Sequence, residues 1–249
     1  MTVARISDIG GRVDEFMVRR LARHPGVRKL HLAYVPGASE LVQARAVLSE
    51  ATARVISRGL SLRAATDLPF WDAVLVSSFG AEESMHPLLH AAMCHHPVIE
   101  PIEVDALRCD ARVVEALHRN RAPNQSLALL SSVEMDNGDI AHWPMLDFHV
   151  PASDSNCRLA LDALSCLKSG PGVLILSGQS YHFIGETLLT MDSLVSFLAR
   201  ALLLNPIVDR SWVAHQMLER RCALRISARA QSETPRVVAR APSSPDVLE

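Results

Sequence analysis

The chain has 249 residues, 49% of them hydrophobic and 21% charged, with a formal net charge of −2. That is enough apolar material for one large or two small cored domains, and the near-neutral balance argues against a molecule that attracts nucleic acid over its whole surface, though not against a local basic patch. Five cysteines, odd in number and never spaced as C-x-x-C, argue against a disulfide framework or a cysteine-rich zinc site and point to a reducing compartment.

The N-terminal "MTVARISDIGGRVDEF" lacks the apolar core of a signal peptide, and no uncharged apolar run reaches the ~18 residues of a spanning helix. A soluble, cytoplasmic protein with no membrane partner is the expectation. Residues 12–24 read as a helix with Phe16, Val18 and Leu21 roughly on one side, and 27–35 alternate as a strand through Val27, Leu30, Leu32 and Tyr34. Pro36-Gly37 ends that strand, and an alanine-rich helix follows through about Gly59. "DAVLVSS" (72–78) reads as a short apolar strand. "EESMHPLLHAAMCHH" reads as a helix with Pro87 in its first turn, and a further helix is expected over 108–119.

From residue 123 the pattern changes. "SLALLSSV" (126–133), the turn-rich "EMDNGD" and "WPMLDFHV" (143–150) read as a hairpin. The helix "NCRLALDALSCLKSG" leads to the strand "GVLILS", then "SYHFIG", helices at 191–203 and about 209–221, and the strand "ALRIS" (223–227). The expected fold class is α/β, of the mixed α+β kind: alternating strands and helices make the first half an α/β section, and the core is an antiparallel or mixed sheet with flanking helices. Three segments follow: residues 1–122, an N-terminal section that can belong to the same fold unit; residues 123–228, the core; and residues 229–249, a tail rich in Pro, Ser and Arg expected to be disordered.

Three stretches carry chemistry. In "MLDFHV" the strand period puts Asp147 and His149 on one face and Leu146, Phe148 and Val150 on the other. An oxygen and a nitrogen ligand on one face could share a divalent ion, Mn²⁺ or Zn²⁺ more naturally than Mg²⁺; a solvated sheet face is the plainer account. In "LSGQSYHFIG", Ser177-Gly178 form a turn able to face an anion, and His182 can donate to a phosphate oxygen or be a satisfied core histidine. Asp209, after the apolar Pro206–Val208, can cap the following helix or serve as a second metal carboxylate. From Ile207 to Arg240, seven arginines against three acids leave four excess positive charges, a composition suited to phosphate. His86, His90 and Cys94 recur at helical spacing beside His95 and His96, but match no standard zinc pattern.

Together the three stretches have an order that resembles the archaeo-eukaryotic primase superfamily, the primase-polymerases and their relatives in bacterial mobile elements and conflict systems. The resemblance spans about residues 126–228. It places Asp147 and His149 in a first, D-x-D-like motif, Ser177 and His182 in an S-x-H-like motif, and Asp209 in the late acidic motif. By that resemblance Asp147, His149 and Asp209 are the catalytic and metal-binding residues, for Mn²⁺ or Mg²⁺. Ser177 and His182 hold the phosphates of a nucleoside triphosphate, and Arg225 contacts phosphate or nucleic acid. Two departures stand out: His149 replaces the second aspartate, and the turn carries Gln179 and Ser180 where the family has a basic residue. The resemblance implies metal-dependent nucleotidyl transfer or nucleotide and nucleic-acid binding. The alternatives are an inactive primase-like interaction module bound to other proteins of a conflict system, and a single-metal phosphoesterase.

Overall fold

The computed structural model describes residues 11–36, 49–66, 68–93, 101–228 and 233–241. Two units emerge, one formed by Met1–Val35 with Val98–Glu249 and the other by Pro36–Pro97. The division follows hydrogen bonding. The first unit begins with α1 (Val13–Phe16), which runs directly into a π-helical turn, Met17–Leu21, and then β1 (Val27–Pro36). β1 finds a backbone partner in β2, beyond residue 98, and the chain between them forms the second unit.

That smaller unit holds α2 (Glu50–Thr66), α3 (Phe70–Ser77) and α4 (Glu82–Met93). Its core is Val55, Val74 and Leu88, with Ile56, Phe70, Trp71 and Ala81 packed around them. Gly59 permits a close helix crossing, since a Cβ there would lie 2.8 Å from the Cα of Val74. The expected strand at 72–78 is α3. A seven-residue apolar run is compatible with either period, and here packing against α2 selected the helix. His86 and His90 lie exposed on α4, and Cys94, His95 and His96 lie outside the described residues.

The larger unit contains two sheets. β2 (Ile102–Asp105) pairs antiparallel with β1, and α5 (Ala111–Asn120) then leads to β3 (Gln125–Met135). With eleven residues, β3 holds β1 along one edge. Along the other it pairs in tandem with β8 (Ala223–Arg225, opposite Ala128–Leu130) and β4 (Ile140–His142, opposite Ser132–Glu134). The chain leaves this sheet at the buried Trp143 and Pro144, so the expected strand 143–150 is instead a corner followed by β5 (Met145–Asp147) in the second sheet.

That second sheet runs β5, β7 (Tyr181–Gly185), β6 (Gly172–Leu176) and β9 (Arg236–Ala241), all antiparallel. β9 lies in the tail expected to be disordered. Val237 and Val238 are buried, and pairing with the open edge of β6 orders a short strand whose composition gives no hint of it. Gly172 faces Gly185 across β6 and β7. A Cβ on Gly172 would stand 2.5 Å from the Phe183 ring, so the bare glycine is what leaves room for that ring. Helices α6 (Asp154–Cys166), α7 (Met191–Leu202) and α8 (Arg210–Glu219) start on Ser153, Thr190 and Asp209, whose side-chain oxygens accept from Asn156, Ser193 and Trp212 N–H. One continuous core joins the helices to both sheets. Among the described residues no helix is long and apolar enough to cross a membrane.

Two histidines on the first sheet make the fold acid-sensitive. His142 is 2% exposed, and its Nδ1 lies 3.2 Å from Ser131 Oγ. Burial, with His31 and Arg220 nearby, pushes it down to about 4. Burial lowers His31 as well, Lys29 and Arg221 adding to it and Glu103 opposing. Between ~6.5 and ~4 the unfolded chain takes up a proton that the folded chain refuses, so stability present above that window is lost as pH falls. The ceiling for His142 is on the order of 3 kcal/mol. Urea unfolding at pH 7 and 4.5 should show wild type losing at least ~1 kcal/mol more than His142→Asn. An identical loss in both proteins would refute the assignment.

Candidate functional site

Strand register draws three of the expected site residues together. Ile175 of β6 faces His182 of β7, which faces Asp147 of β5. Beyond Asp147 the segment 207–209 adds a short antiparallel pairing: Phe148 bridges Val208, His149 N–H donates to Ile207 O at 2.9 Å, and Asp209 N–H donates to Asp147 O at 2.9 Å. His182, Asp147 and Asp209 therefore stand in one row. Cross-strand partners share a face, which puts their side chains on one side and the buried Phe148 and Val208 on the other.

Within the row, His182 Nε2 lies 3.5 Å from Asp147 Oδ1, the imidazole 11% and the carboxylate 26% exposed. The contact is an ion pair whenever His182 carries its second proton. Sequence reasoning assigned these residues to separate tasks, metal and phosphate. It missed that they touch, because strand register is invisible without the partner strand. Asp209 Oδ1 accepts Trp212 N–H at 2.9 Å as the cap of α8. His149 lies past the end of β5 and is exposed.

The turn Ser177–Ser180 closes the β6–β7 hairpin through Ser177 N–H to Ser180 O at 2.9 Å, with Gly178 at φ +82°, a conformation glycine adopts without strain. Ser177 thus uses its amide inside the turn, where the expectation had it facing outward. Ser177 Oγ accepts from Arg225 Nη2 at 2.9 Å, and Arg225 Nη1 donates to Ser227 O at 2.6 Å. Arg225 belongs to β8 in the other sheet, so this guanidinium links the two sheets at the turn. Ser180 Oγ donates to Phe148 O, and Ala152 N–H to Gln179 O at 2.8 Å, which seats the turn against the chain leaving β5. Tyr181, on the opposite face as expected, donates its hydroxyl to Ser153 O at 2.8 Å.

The family resemblance implies a divalent metal on Asp147, His149 and Asp209. Among the described residues, no group of three or more His, Cys, Asp or Glu side chains could hold a metal ion. Asp147, His149 and Asp209 form no such group. Asp147 faces an imidazole and Asp209 serves a helix, so no step through a metal is derived.

The capping role of Asp209 is open to a direct check. Asp209→Ala should lower stability by about 1 kcal/mol, while Asp209→Asn, an equally good cap, should keep most of it. Thermal unfolding in which the Asn and Ala variants fall equally would assign the residue to charge rather than to capping.

No curated protein and no solved structure matches the chain. Residues 108–237 match a family model described as AEP-like, archaeo-eukaryotic primase 1D-like. The matched span contains β3 to β8, the row His182–Asp147–Asp209, the Ser177 turn and Arg225. It covers more than half of the chain, and the protein belongs to this archaeo-eukaryotic primase-like family.

Proposed function

We propose that this domain binds nucleotide phosphates, on free nucleoside triphosphates or on a nucleic-acid chain, without carrying out metal-dependent nucleotidyl transfer. The observation that carries this reading is the engagement of both aspartates inside the protein, Asp147 with His182 and Asp209 with the first turn of α8. Two-metal transfer needs carboxylates that hold ions ~3.5–4 Å apart, bridging the attacking and leaving oxygens. The same engagement weighs against a single-metal phosphoesterase.

What stands around the turn suits an anion. The Arg225 guanidinium is oriented by Ser227 O, and its planar fork matches two phosphate oxygens. A phosphate arriving at the turn would exchange Ser177 Oγ for one of its own oxygens on Nη2. His182 Nε2 faces Asp147, so the donors offered to the anion are those of Arg225 and the Ser177 hydroxyl, with the His182–Asp147 pair fixing the strands beside the turn. Each residue's part is binding and orientation; no bond is made or broken.

Calorimetry with a nucleoside triphosphate in EDTA, Mg²⁺ or Mn²⁺ tests this on wild type, Arg225→Gln, Ser177→Ala and Asp147→Ala. Binding is expected in EDTA and should weaken about tenfold or more in Arg225→Gln, the loss of a charged hydrogen-bond donor. Ser177→Ala, which removes only the hydroxyl, guards against an Arg225→Gln chain that fails to fold. Binding that requires Mn²⁺ and disappears in Asp147→Ala would overturn the metal-independent reading. No binding in any condition would overturn the nucleotide reading and direct attention to a protein partner.

A further inference from the structure

We propose a second anion site, separate from the Ser177 turn, in the cavity beside the π-helical turn at the start of the chain. Arg19, Arg20, Arg23, His24 and Glu186 line a cavity of about 280 Å³. Glu186 is its one acid, and that carboxylate already accepts from Arg20 at 2.6 Å and lies 3.7 Å from Arg240. Among the described residues Arg19 and Arg23 pair with no carboxylate, so the cavity keeps net positive charge. A phosphate group, free or in a single-stranded nucleic-acid backbone, has the size and charge to occupy it, accepting from two guanidinium forks.

Local geometry favours a built feature over scattered surface charge. π-helical turns are rare and often mark functional positions. This one, Met17–Leu21, buries Met17 and Leu21 in the core and turns Arg19 and Arg20 outward. His24 is held as a wall, its ring edge-on to Trp143 (centroids 5.2 Å apart, 75° between planes) and its Nδ1 2.9 Å from Pro25 O. Basic side chains at a helix C-terminus complement its dipole, which would account for Arg19 and Arg20 alone. It does not account for Arg23 and His24 beyond the helix end, nor for Glu186 reaching across from the end of β7 to orient Arg20.

The cavity is not an extension of the first site. Glu186 lies four residues along extended chain from His182, about 13 Å, and Ile184 between them is 1% exposed. The basic residues also precede the span matched by the family model.

The test uses the full chain and two probes, inorganic pyrophosphate by calorimetry and a labelled single-stranded oligonucleotide by fluorescence anisotropy. The pocket variant is Arg19→Gln/Arg23→Gln. A control of equal charge change outside the cavity lining is Arg112→Gln/Arg119→Gln, all four residues being exposed. The pocket variant should weaken at least one probe about fivefold or more beyond the control, and for the oligonucleotide should flatten the salt dependence. Loss for the oligonucleotide alone identifies a nucleic-acid backbone as the source of the phosphate, and loss for pyrophosphate identifies a free one. Pocket and control variants that behave alike, or a wild type that binds neither probe, would overturn the site. Arg225→Gln run alongside separates the two proposals: a defect there with none in the pocket variant removes the cavity and leaves the turn standing.

Discussion

Everything at the candidate site hangs on the main chain of Asp147. Its carbonyl accepts Asp209 N–H, its neighbours Phe148 and His149 pair with Val208 and Ile207, and its other edge is laddered to His182. Buried backbone donors and acceptors must be paired, and Phe148 and Val208 are both in the core, so the segment 207–209 has nowhere else to satisfy its amides. That constraint carries an aspartate from the start of α8 to the side of a strand sixty residues earlier.

The same row explains how a histidine survives in β7. Tyr181, Phe183 and Ile184 make this a strand buried on both faces, and His182 is itself 9% exposed. Burying a polar ring is costly unless it is partnered. Asp147 meets that cost through the 3.5 Å contact of its carboxylate with the ring. Two positions depart from the pattern that the resemblance implies. His149, in place of an aspartate, ends up exposed, and the turn that usually carries a basic residue instead docks Ser180 and Gln179 on the chain leaving β5. The positive charge near this turn comes instead from Arg225, delivered by the opposite sheet.

Long β3 makes that delivery possible. By sharing one edge between β8 and β4 it places Arg225 at one end and the exit to β5 at the other, and the Trp143-Pro144 corner passes the chain between sheets. Ser131, in the middle of β3, ties both ends, its carbonyl accepting Trp143 N–H at 2.8 Å and its hydroxyl accepting Cys222 N–H at 2.8 Å. The turn and the row are therefore fixed by the alignment of two sheets rather than by either alone.

By itself, the sequence was enough for the parts of this protein that depend on local preference. The alternation of 27–35, the apolar runs at 126–133 and 172–176 and the Ser, Thr and Asp caps of the later helices are one-dimensional signals, and so is the order of Asp147, Ser177, His182, Asp209 and Arg225 along the chain. Tertiary structure decided what depends on partners. It made a helix of 70–77, whose short apolar run suits either period, and a strand of 236–241, which exists because β6 has an open edge. It broke 143–150 at a corner, formed a π turn that carries Arg19 and Arg20 outward, and chose the register that sets His182 against Asp147. Register and edge pairing are properties of two segments at once, and no single stretch of sequence encodes them.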